Sequence, residues 1–369
     1  MAGLIARHHQ DEDAAREYLE KQLWPDGPVC PKCGLINEAY RLNGETTRDG
    51  LYKCAGCRAP FTVTMDTIFE DSHIPLHKWL FAIYLMCSSK KGMSAHQLWR
   101  NLWGVDEETG KQKGSYKTAW FMAHRIRWAL GQEPAASKLA GIVEVDECYI
   151  GGKRRRQNNP GAGRQFGERE TQIGKRVFRQ KRQPGAATKG IHPHAEKEVV
   201  VSILQRNGEV RSKHVPQRVT GENLRPMIEQ TIDESAHIMT DTSTVLASVP
   251  KQHQHSQVNH TAHEYVRHED GVCITTNTVE GYFGIIKRGI DGIYHHVGKA
   301  YLDQYLREFD FRYNVRKLND RDRNIVAIKK TSGKRLTLRE PKELRRASDA
   351  LRKPVWGETT KPDEDALPF

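Results

Sequence analysis

The sequence lacks any apolar stretch long enough to cross a membrane. A transmembrane helix needs about 18 or more consecutive apolar residues, and no such run occurs. The opening stretch MAGLIARHHQDEDAAREYLEKQ becomes charged after a few residues and has no apolar segment of the kind that defines a signal peptide. We therefore expect a cytoplasmic protein.

The seven cysteines do not form the even set of a disulfide framework. Four of them occur as two close pairs, whereas Cys87, Cys148 and Cys273 stand alone in apolar or mixed stretches. This distribution is typical of a reducing compartment, where paired cysteines bind metal more often than they form disulfides.

Acidic residues are scarce relative to basic ones. The 369 residues include 58 Lys and Arg against 46 Asp and Glu, so the formal net charge is +12 and the pI is about 9.3. A soluble chain this basic commonly binds a polyanion, and nucleic acid is the first candidate, with a solvated basic surface as the alternative. The length favours two or three domains.

The paired cysteines predict a structural zinc site. Cys30 and Cys33 are separated by two residues, as are Cys54 and Cys57, and twenty residues lie between the pairs. Two such knuckles bring four thiolates together tetrahedrally, as structural zinc prefers. Four unligated buried cysteines are the alternative. A closed site of this kind stabilises a small ribbon domain, which binds DNA, protein or neither, and it performs no catalysis.

Apolar residues recur at helical spacing between residues 75 and 133, with Ser94 as a candidate N-cap. Short helices joined by turns favour a helix-turn-helix element, and a helix near Ser115–Arg127 is the candidate for the DNA major groove. We interpret the aromatic side chains of this helix as core residues rather than base-stacking ones, namely Tyr116, Trp120 and Trp128.

Strand patterns begin after Gly141. Residues 142–150 form an apolar run, residues 198–204 and 210–215 flank an Asn-Gly turn, and residues 237–241 form another short buried strand. Helices are expected over 222–235, 277–290 and 298–316. The basic segment 153–189 has too few aliphatic residues to bury a core, so we expect a loop or a disordered insert there. The His-rich stretch 253–268 fits no standard metal spacing, and we interpret it as a surface or DNA-facing loop.

Three acidic residues suit two-metal phosphodiester chemistry, which needs about three carboxylates that converge from different elements. Asp146 lies inside the apolar strand, where a charge is costly unless it is paired or metal-bound. Asp241 ends a second strand, and Glu280 begins a helix with Asn277 and Lys287 on the same face.

Each acidic residue also has a structural interpretation. A lone Asp in a strand is commonly hydrogen-bonded within the fold, and Glu280 with Lys287 matches a solvated helix face. Glu144 and Glu147 are rivals to Asp146. By strand alternation, Glu144 shares the face of Asp146, whereas Glu147 points to the opposite face.

The motifs together resemble bacterial insertion-sequence transposases of the IS1595 type, also called ISXO2-like. The resemblance covers roughly residues 15–340, and it rests on the two cysteine knuckles and on four further segments: GIVEVDE with YIGGK at 141–153, Thr240-Asp241, TNTVEGYF at 276–283 followed by KRGI and GIYHHV, and EFDFRYN at 308–314.

The resemblance implies a multidomain α/β protein with an N-terminal zinc ribbon, a helical helix-turn-helix-like region and an RNase H-like mixed-sheet catalytic domain. It also implies a DDE-type acidic triad, Mg²⁺ or Mn²⁺, and terminal inverted repeats as the DNA substrate. Carried onto this chain, Asp146 and Asp241 are the first two metal ligands. The third is Glu280 or Asn277; we favour Glu280 for its charge, and Lys287 would then contact a phosphate.

We expect four regions: 1–70, the zinc ribbon with a short helix; 71–135, the helical region; 136–320, the catalytic domain with a basic insert at 153–190; and 321–369, an extension with a disordered tail. Double-stranded DNA is the expected partner, and a homodimer or larger synaptic assembly is expected because two ends must be held together. The candidate DNA contacts are Lys153, Arg154, Arg155, Arg156, Lys287 and Arg288. The rival functions are an inactive DNA-binding regulator and a nuclease or resolvase that cuts without joining.

Overall fold

A computed structural model describes residues 6–131, 137–151, 197–216, 218–242 and 249–335, together with the backbone of two strands at 169–173 and 176–180. Within these ranges, no helix is long and apolar enough to cross a membrane.

The N-terminal part combines one helix with a small sheet. Helix α1 (Glu12–Leu23) begins at Asp11, whose carboxylate accepts a hydrogen bond from the Ala14 amide at 2.7 Å. Strands β1 (Ala39–Arg41), β2 (Tyr52–Cys54) and β3 (Pro60–Phe61) pair antiparallel in that order. The buried core of this sheet consists of Phe61 and two cysteines, which is too small to stabilise a domain without a cross-link such as a structural metal ion.

Three helices follow, at α2 (Leu76–Ser88), α3 (Ala95–Trp103) and α4 (Tyr116–Leu130). The predicted cap is present, since the Ser94 hydroxyl accepts from the Gln97 amide at 3.2 Å. These helices share one apolar core with α1 and with the later helix α8 (Asp320–Lys329), which packs against α2. The expectation that Tyr116 belongs to a core is wrong, because 44% of this residue is exposed at the start of α4.

A five-stranded mixed sheet forms the centre of the chain. Its strands are β4 (Ile142–Ile150), β7 (Glu198–Gln205), β8 (Val210–Val215), β9 (His237–Asp241) and β10 (Gln254–Val258), in the spatial order β10-β9-β4-β7-β8. Strand β7 pairs antiparallel with both β4 and β8, whereas β9 pairs parallel with both β4 and β10. The predicted strands at 142–150 and 210–215 are confirmed to the residue.

Helices cover both faces of this sheet, as its apolar strands require. Helix α5 (Gly221–Thr231) packs over Val143 and Val145 of β4. The other face of β4 lies under α6 (Asn277–Gly289) and α7 (Leu302–Asn314). Alternate residues of one strand therefore serve two separate cores. A short antiparallel pair, β11 (Arg267–Glu269) and β12 (Val272–Ile274), precedes α6.

A buried ion cluster joins α4 to α7. The Arg127 Nε donates to Glu308 Oε2 at 2.6 Å, and Arg312 binds the same carboxylate. Glu308 is fully buried and Arg127 nearly so. Removing one member of such a cluster would leave an uncompensated buried charge and destabilise the fold. The cluster therefore fixes α4 against α7, which covers the central sheet.

The basic segment after β4 departs from the expected loop at two places. Strands β5 (Arg169–Ile173) and β6 (Arg176–Gln180) pair antiparallel. The rest of 152–196 lies outside the described residues, including the candidate DNA contacts Lys153, Arg154, Arg155 and Arg156.

Candidate active site

The four paired cysteines converge on one point. Their sulfur atoms all lie within 4.8 Å of one another, with Cys30 Sγ 3.6 Å from Cys57 Sγ and Cys33 Sγ 3.5 Å from Cys54 Sγ. A tetrahedral zinc with bonds of about 2.3 Å would set its sulfurs about 3.8 Å apart. The donor set and spacing therefore fit a structural zinc ion.

Asp146 and Asp241 lie at the same level of neighbouring parallel strands. The pairing of β4 with β9 matches Ile142 with His237 and Glu144 with Met239. The pairing ends there, and the same register continued by two residues would bring Asp146 opposite Asp241. Paired residues of parallel strands point to the same face, so both carboxylates emerge on the side of the sheet that α6 covers.

Glu280 reaches this edge from the first turn of α6. Its Oε1 accepts a hydrogen bond from the Thr276 hydroxyl at 3.0 Å and lies 3.1 Å from the His260 Nε2. The same imidazole nitrogen is 3.1 Å from the Thr276 hydroxyl. Two neighbours therefore restrict the Glu280 side chain, although 42% of it remains exposed to solvent.

The charges of Asp241 and Glu280 act on Asp146. Burial is the main cause that raises the pKa of Asp146 from 3.8 to about 7, with smaller contributions from the charges of Asp241 and Glu280, while the hydrogen bond from the Glu147 amide opposes the shift. A carboxyl group with this pKa is buried, and like charges add to the cost of its ionisation. Such a group is a candidate functional residue, and an added divalent cation would relieve the repulsion.

Glu144 has a structural role on the same face. Its Oε1 accepts from Arg206 Nε at 2.6 Å and from the Thr278 hydroxyl at 2.9 Å, and its Oε2 accepts from the Val279 amide at 2.9 Å. The side chain is fully buried at the N-terminus of α6, where a negative charge is favourable. Every contact of Glu144 is internal, so it is not free to bind a metal. Glu147 lies on the opposite face, where it accepts from the Tyr149 hydroxyl at 3.0 Å.

Arg206 fixes the segment that leads into α6. Besides Glu144, its guanidinium donates to the carbonyls of Cys273 at 2.6 Å and Thr275 at 2.9 Å. The turn between β7 and β8 is thereby attached to the chain just before Asn277. Sequence reasoning missed Arg206, since a single arginine after a strand carries no signal.

Lys287 and Asn277 lie on the same helix as Glu280. Both are exposed. Burial raises the pKa of the Cys148 thiol to about 12, and the nearby charge of Lys287 acts in the opposite direction, which locates Lys287 beside β4. The Asn277 amide donates to the Thr275 hydroxyl at 3.2 Å, and its side chain makes no hydrogen bond within the described ranges.

The three candidate metal ligands, Asp146, Asp241 and Glu280, form an open set rather than a closed metal cage. In the described part of the chain, the four cysteines are the one set of three or more metal-type ligands whose donor atoms all lie within 4.8 Å. Asp146, Asp241 and Glu280 are therefore spread more widely than a single-ion cage. Mg²⁺ commonly retains waters and substrate phosphates among its ligands, and an open set of carboxylates suits that coordination.

The interpretation of the His-rich stretch as a surface loop is wrong in part. Residues 254–258 form β10, and His253 is 6% exposed. His260 contacts Glu280, a connection that sequence reasoning missed. His255 of β10 lies beside strand β9, where its imidazole pairs with the Thr240 hydroxyl at 2.8 Å.

Comparison with known proteins accords with this arrangement. Residues 138–314 match the ISXO2-like transposase domain of the IS1595 type, and residues 10–60 match the transposase zinc-ribbon domain. A protein of Halobacterium salinarum named as an uncharacterized protein in transposable element ISH50 is 26% identical over 311 residues, which span 82% of this chain and 91% of the relative. No solved structure matches.

These matches define the class of the protein as a transposase with an N-terminal zinc ribbon. The chain belongs to the IS1595-type, ISXO2-like transposase family.

We predict that the cysteine cluster holds one zinc ion per chain. Replacing Cys33 with serine should abolish stoichiometric zinc, measured by plasma mass spectrometry after gel filtration, and should lower the thermal midpoint because the small sheet loses its staple. Cys273→Ser is the matched control, since Cys273 is a free cysteine outside the cluster. Full zinc retention in Cys33→Ser would contradict the four-cysteine site.

We predict opposite stability effects for two acids on one strand. Without divalent metal at pH 8, Asp146→Asn should raise the free energy of unfolding by about 1–3 kcal/mol, because it removes a charge that burial and like charges disfavour. The folded pKa of Asp146 is raised, so its destabilising effect develops as pH rises from about 4 to 7 and is absent below pH 4.

Glu144→Gln should instead lower the free energy of unfolding by about 3 kcal/mol, because it leaves Arg206 partly buried without its partner. Urea titration of both variants at pH 8 and pH 4 measures the contrast. A destabilised Asp146→Asn at pH 8 would show that Asp146 is a structural hydrogen-bonding residue.

Proposed function

We propose that this chain is a DNA transposase that binds the terminal inverted repeats of an insertion sequence, frees their 3′-hydroxyls and joins them to target DNA by two-metal phosphoryl transfer. Asp146, Asp241 and Glu280 are the proposed metal ligands, and Mg²⁺ or Mn²⁺ the proposed ions. The observation that supports this proposal is a buried carboxyl group, Asp146, on the central strand, whose raised pKa includes contributions from the charges of Asp241 and Glu280.

The architecture supports an RNase H-like assignment for the catalytic domain. The sheet is mixed, its first three strands in chain order are antiparallel, and the acids lie on the central strand and on its parallel neighbour. Metal-dependent phosphoryl transfer needs ligands from separate elements at one sheet edge, and this topology supplies them.

When bound, the divalent ions would activate the attacking oxygen and stabilise the leaving oxygen. The attack of water on phosphorus breaks the bond to the transposon 3′-oxygen, and that 3′-hydroxyl then attacks a target phosphorus and displaces the target 3′-oxygen. The chain's own residues hold and orient these groups. Asp146 and Asp241 supply negative charge from a rigid sheet, and Glu280 is oriented by Thr276 and His260.

Lys287 is the proposed phosphate contact, together with Arg288. Both are exposed at the C-terminal end of α6, two helical turns from Glu280. Lys153, Arg154, Arg155 and Arg156 remain proposed contacts to the DNA backbone outside the described residues. We further propose the division into regions 1–70, 71–135, 136–320 and 321–369, a helix-turn-helix-like role for the second region, a cytoplasmic location, and a homodimer or larger synaptic assembly.

Glu280 is preferred over Asn277 as the third ligand because of its surroundings. Its charge acts on Asp146, whereas a neutral amide would leave the metals less well neutralised. A regulator that binds DNA without cutting it would need no buried carboxyl group with the raised pKa of Asp146, nor further acids close enough to contribute to it. A nuclease that cuts without joining would use the same site, so the joining step decides between the two.

We predict that the full chain joins pre-cut transposon ends to plasmid DNA in Mg²⁺ or Mn²⁺. Asp241→Asn and Glu280→Gln should each reduce joining by about 1000-fold or more, because a missing ligand removes several kcal/mol of transition-state stabilisation. The assay is strand transfer of labelled duplex ends, with end binding by gel shift measured in parallel. Glu229→Gln, an exposed acid on α5 over the other sheet face, is the charge-matched control.

Three other outcomes would change the assignment. Normal joining by Glu280→Gln with loss in Asn277→Ala would transfer the third ligand to Asn277. Cutting without joining would favour a nuclease. Binding of the ends with neither cutting nor joining would favour the regulator.

A further inference from the structure

Helix α4 is too enclosed to enter a DNA groove. Its Trp120 and His124 rings lie 5.3 and 4.8 Å from the Tyr301 ring, and Arg127 binds Glu308 of α7. On another side, the Arg125 guanidinium lies 5.9 Å from the Trp79 ring of α2. A helix that reads bases needs a face exposed along its length. In α4 the exposed residues are confined to the first turn, at Tyr116 and Lys117.

Helix α3 has the free face that α4 lacks. Its inner side is formed by Ala95, Leu98 and Leu102, which are buried. Its outer side is polar and solvent-exposed, and it consists of His96, Gln97, Arg100 and Asn101. In the part of the chain that the structure describes, the side chains of Gln97, Arg100 and Asn101 make no hydrogen bond or ion pair, so they are free to bind a ligand.

These residue types match the chemistry of base edges in the major groove. Arginine binds the O6 and N7 of guanine as a bidentate donor, and asparagine and glutamine bind the N6 and N7 of adenine. The nine-residue helix contains no acidic residue, and an acidic side chain there would repel DNA phosphates. The exposed Lys90 and Lys91 lie a few residues before Ser94, in the turn that leads to the positive dipole end of the helix.

The position of α3 connects this face to the carboxylates. The turn before α3 packs on the end of α6, where the Lys91 carbonyl lies 3.1 Å from the place that a Cβ on Gly289 would occupy. Lys287 and Arg288 are exposed at that same end of α6. One duplex could therefore contact the basic turn, these two cations and the site at Glu280 together.

We propose that α3, rather than α4, reads base pairs in the major groove of the transposon end, through Arg100 and Asn101 with Gln97. This inference rests on the proposed function and identifies the residues that select its DNA. Glu280 and Gly289 are about 14 Å apart along α6, or about four base pairs of duplex. For a duplex that follows α6 from Glu280 to Gly289 and continues past α3, which is itself about 14 Å long, the selected base pairs would lie about four to eight positions from the cut.

The test is fluorescence anisotropy of the zinc-loaded full chain with two duplexes, one from the element's own end and one of scrambled sequence, without Mg²⁺ or Mn²⁺. Arg100→Ala and Asn101→Ala should each weaken binding to the end by about 5- to 100-fold and leave scrambled binding nearly unchanged. The same loss should follow in wild type when base pairs four to eight are replaced. Because both side chains are exposed and make no hydrogen bond or ion pair in the described ranges, their replacement should leave the thermal stability nearly unchanged. Thermal unfolding followed by circular dichroism verifies this.

Two matched variants complete the design. Lys117→Ala removes a cation from the first turn of α4, and Arg225→Ala removes an exposed cation from α5, over the opposite face of the sheet. Both should retain the preference for the end. Loss of preference in Lys117→Ala with full preference in Arg100→Ala and Asn101→Ala would overturn the proposal in favour of α4.

Failure of the proposed function gives a different pattern. A wild type that joins ends but prefers neither duplex would overturn base reading by α3 and leave the transposase proposal standing. A wild type that neither prefers nor joins ends would contradict the proposed function itself, and the α3 proposal with it.

Discussion

The ion pair between the buried Glu144 and the partly buried Arg206 sets the geometry on which the candidate active site depends. Glu144 holds the first turn of α6 through the Val279 amide and the Thr278 hydroxyl, and Arg206 holds the preceding segment through two carbonyls. Because Glu280 lies in that first turn, its distance from Asp146 follows from these contacts. The ion pair between Glu144 of β4 and Arg206 of the β7–β8 turn therefore positions the carboxylate of Glu280 on α6.

The site is electrostatically unusual for this chain. In a protein of net charge +12, the pKa of Asp146 rises mainly because the carboxyl group is buried, and the charges of Asp241 and Glu280 add to that rise. A buried acid that costs stability indicates a functional role, since selection for stability alone would favour its replacement by a neutral residue. Elsewhere the same chain neutralises buried charge, as the Arg127–Glu308 pair shows.

Local patterns predicted much of this structure. The cysteine spacing, the Ser94 cap and strand β4 are set by neighbours in sequence, and each was predicted correctly. Strand alternation also separated Glu147 from Asp146. The roles of Glu144, Arg206 and His260 depend on contacts between residues far apart in the chain, and no periodicity encodes them. The burial of α4 was missed for the same reason, because its covering residues belong to α2 and α7.

The most direct test of the account is the location of bound Mn²⁺ by anomalous X-ray diffraction from crystals of the full chain with a transposon-end duplex. The account predicts anomalous peaks at the sheet edge, with Asp146 and Asp241 as ligands and Glu280 as the third protein contributor. Peaks coordinated by other residues, or a site that remains empty at millimolar Mn²⁺ with DNA in place, would contradict it.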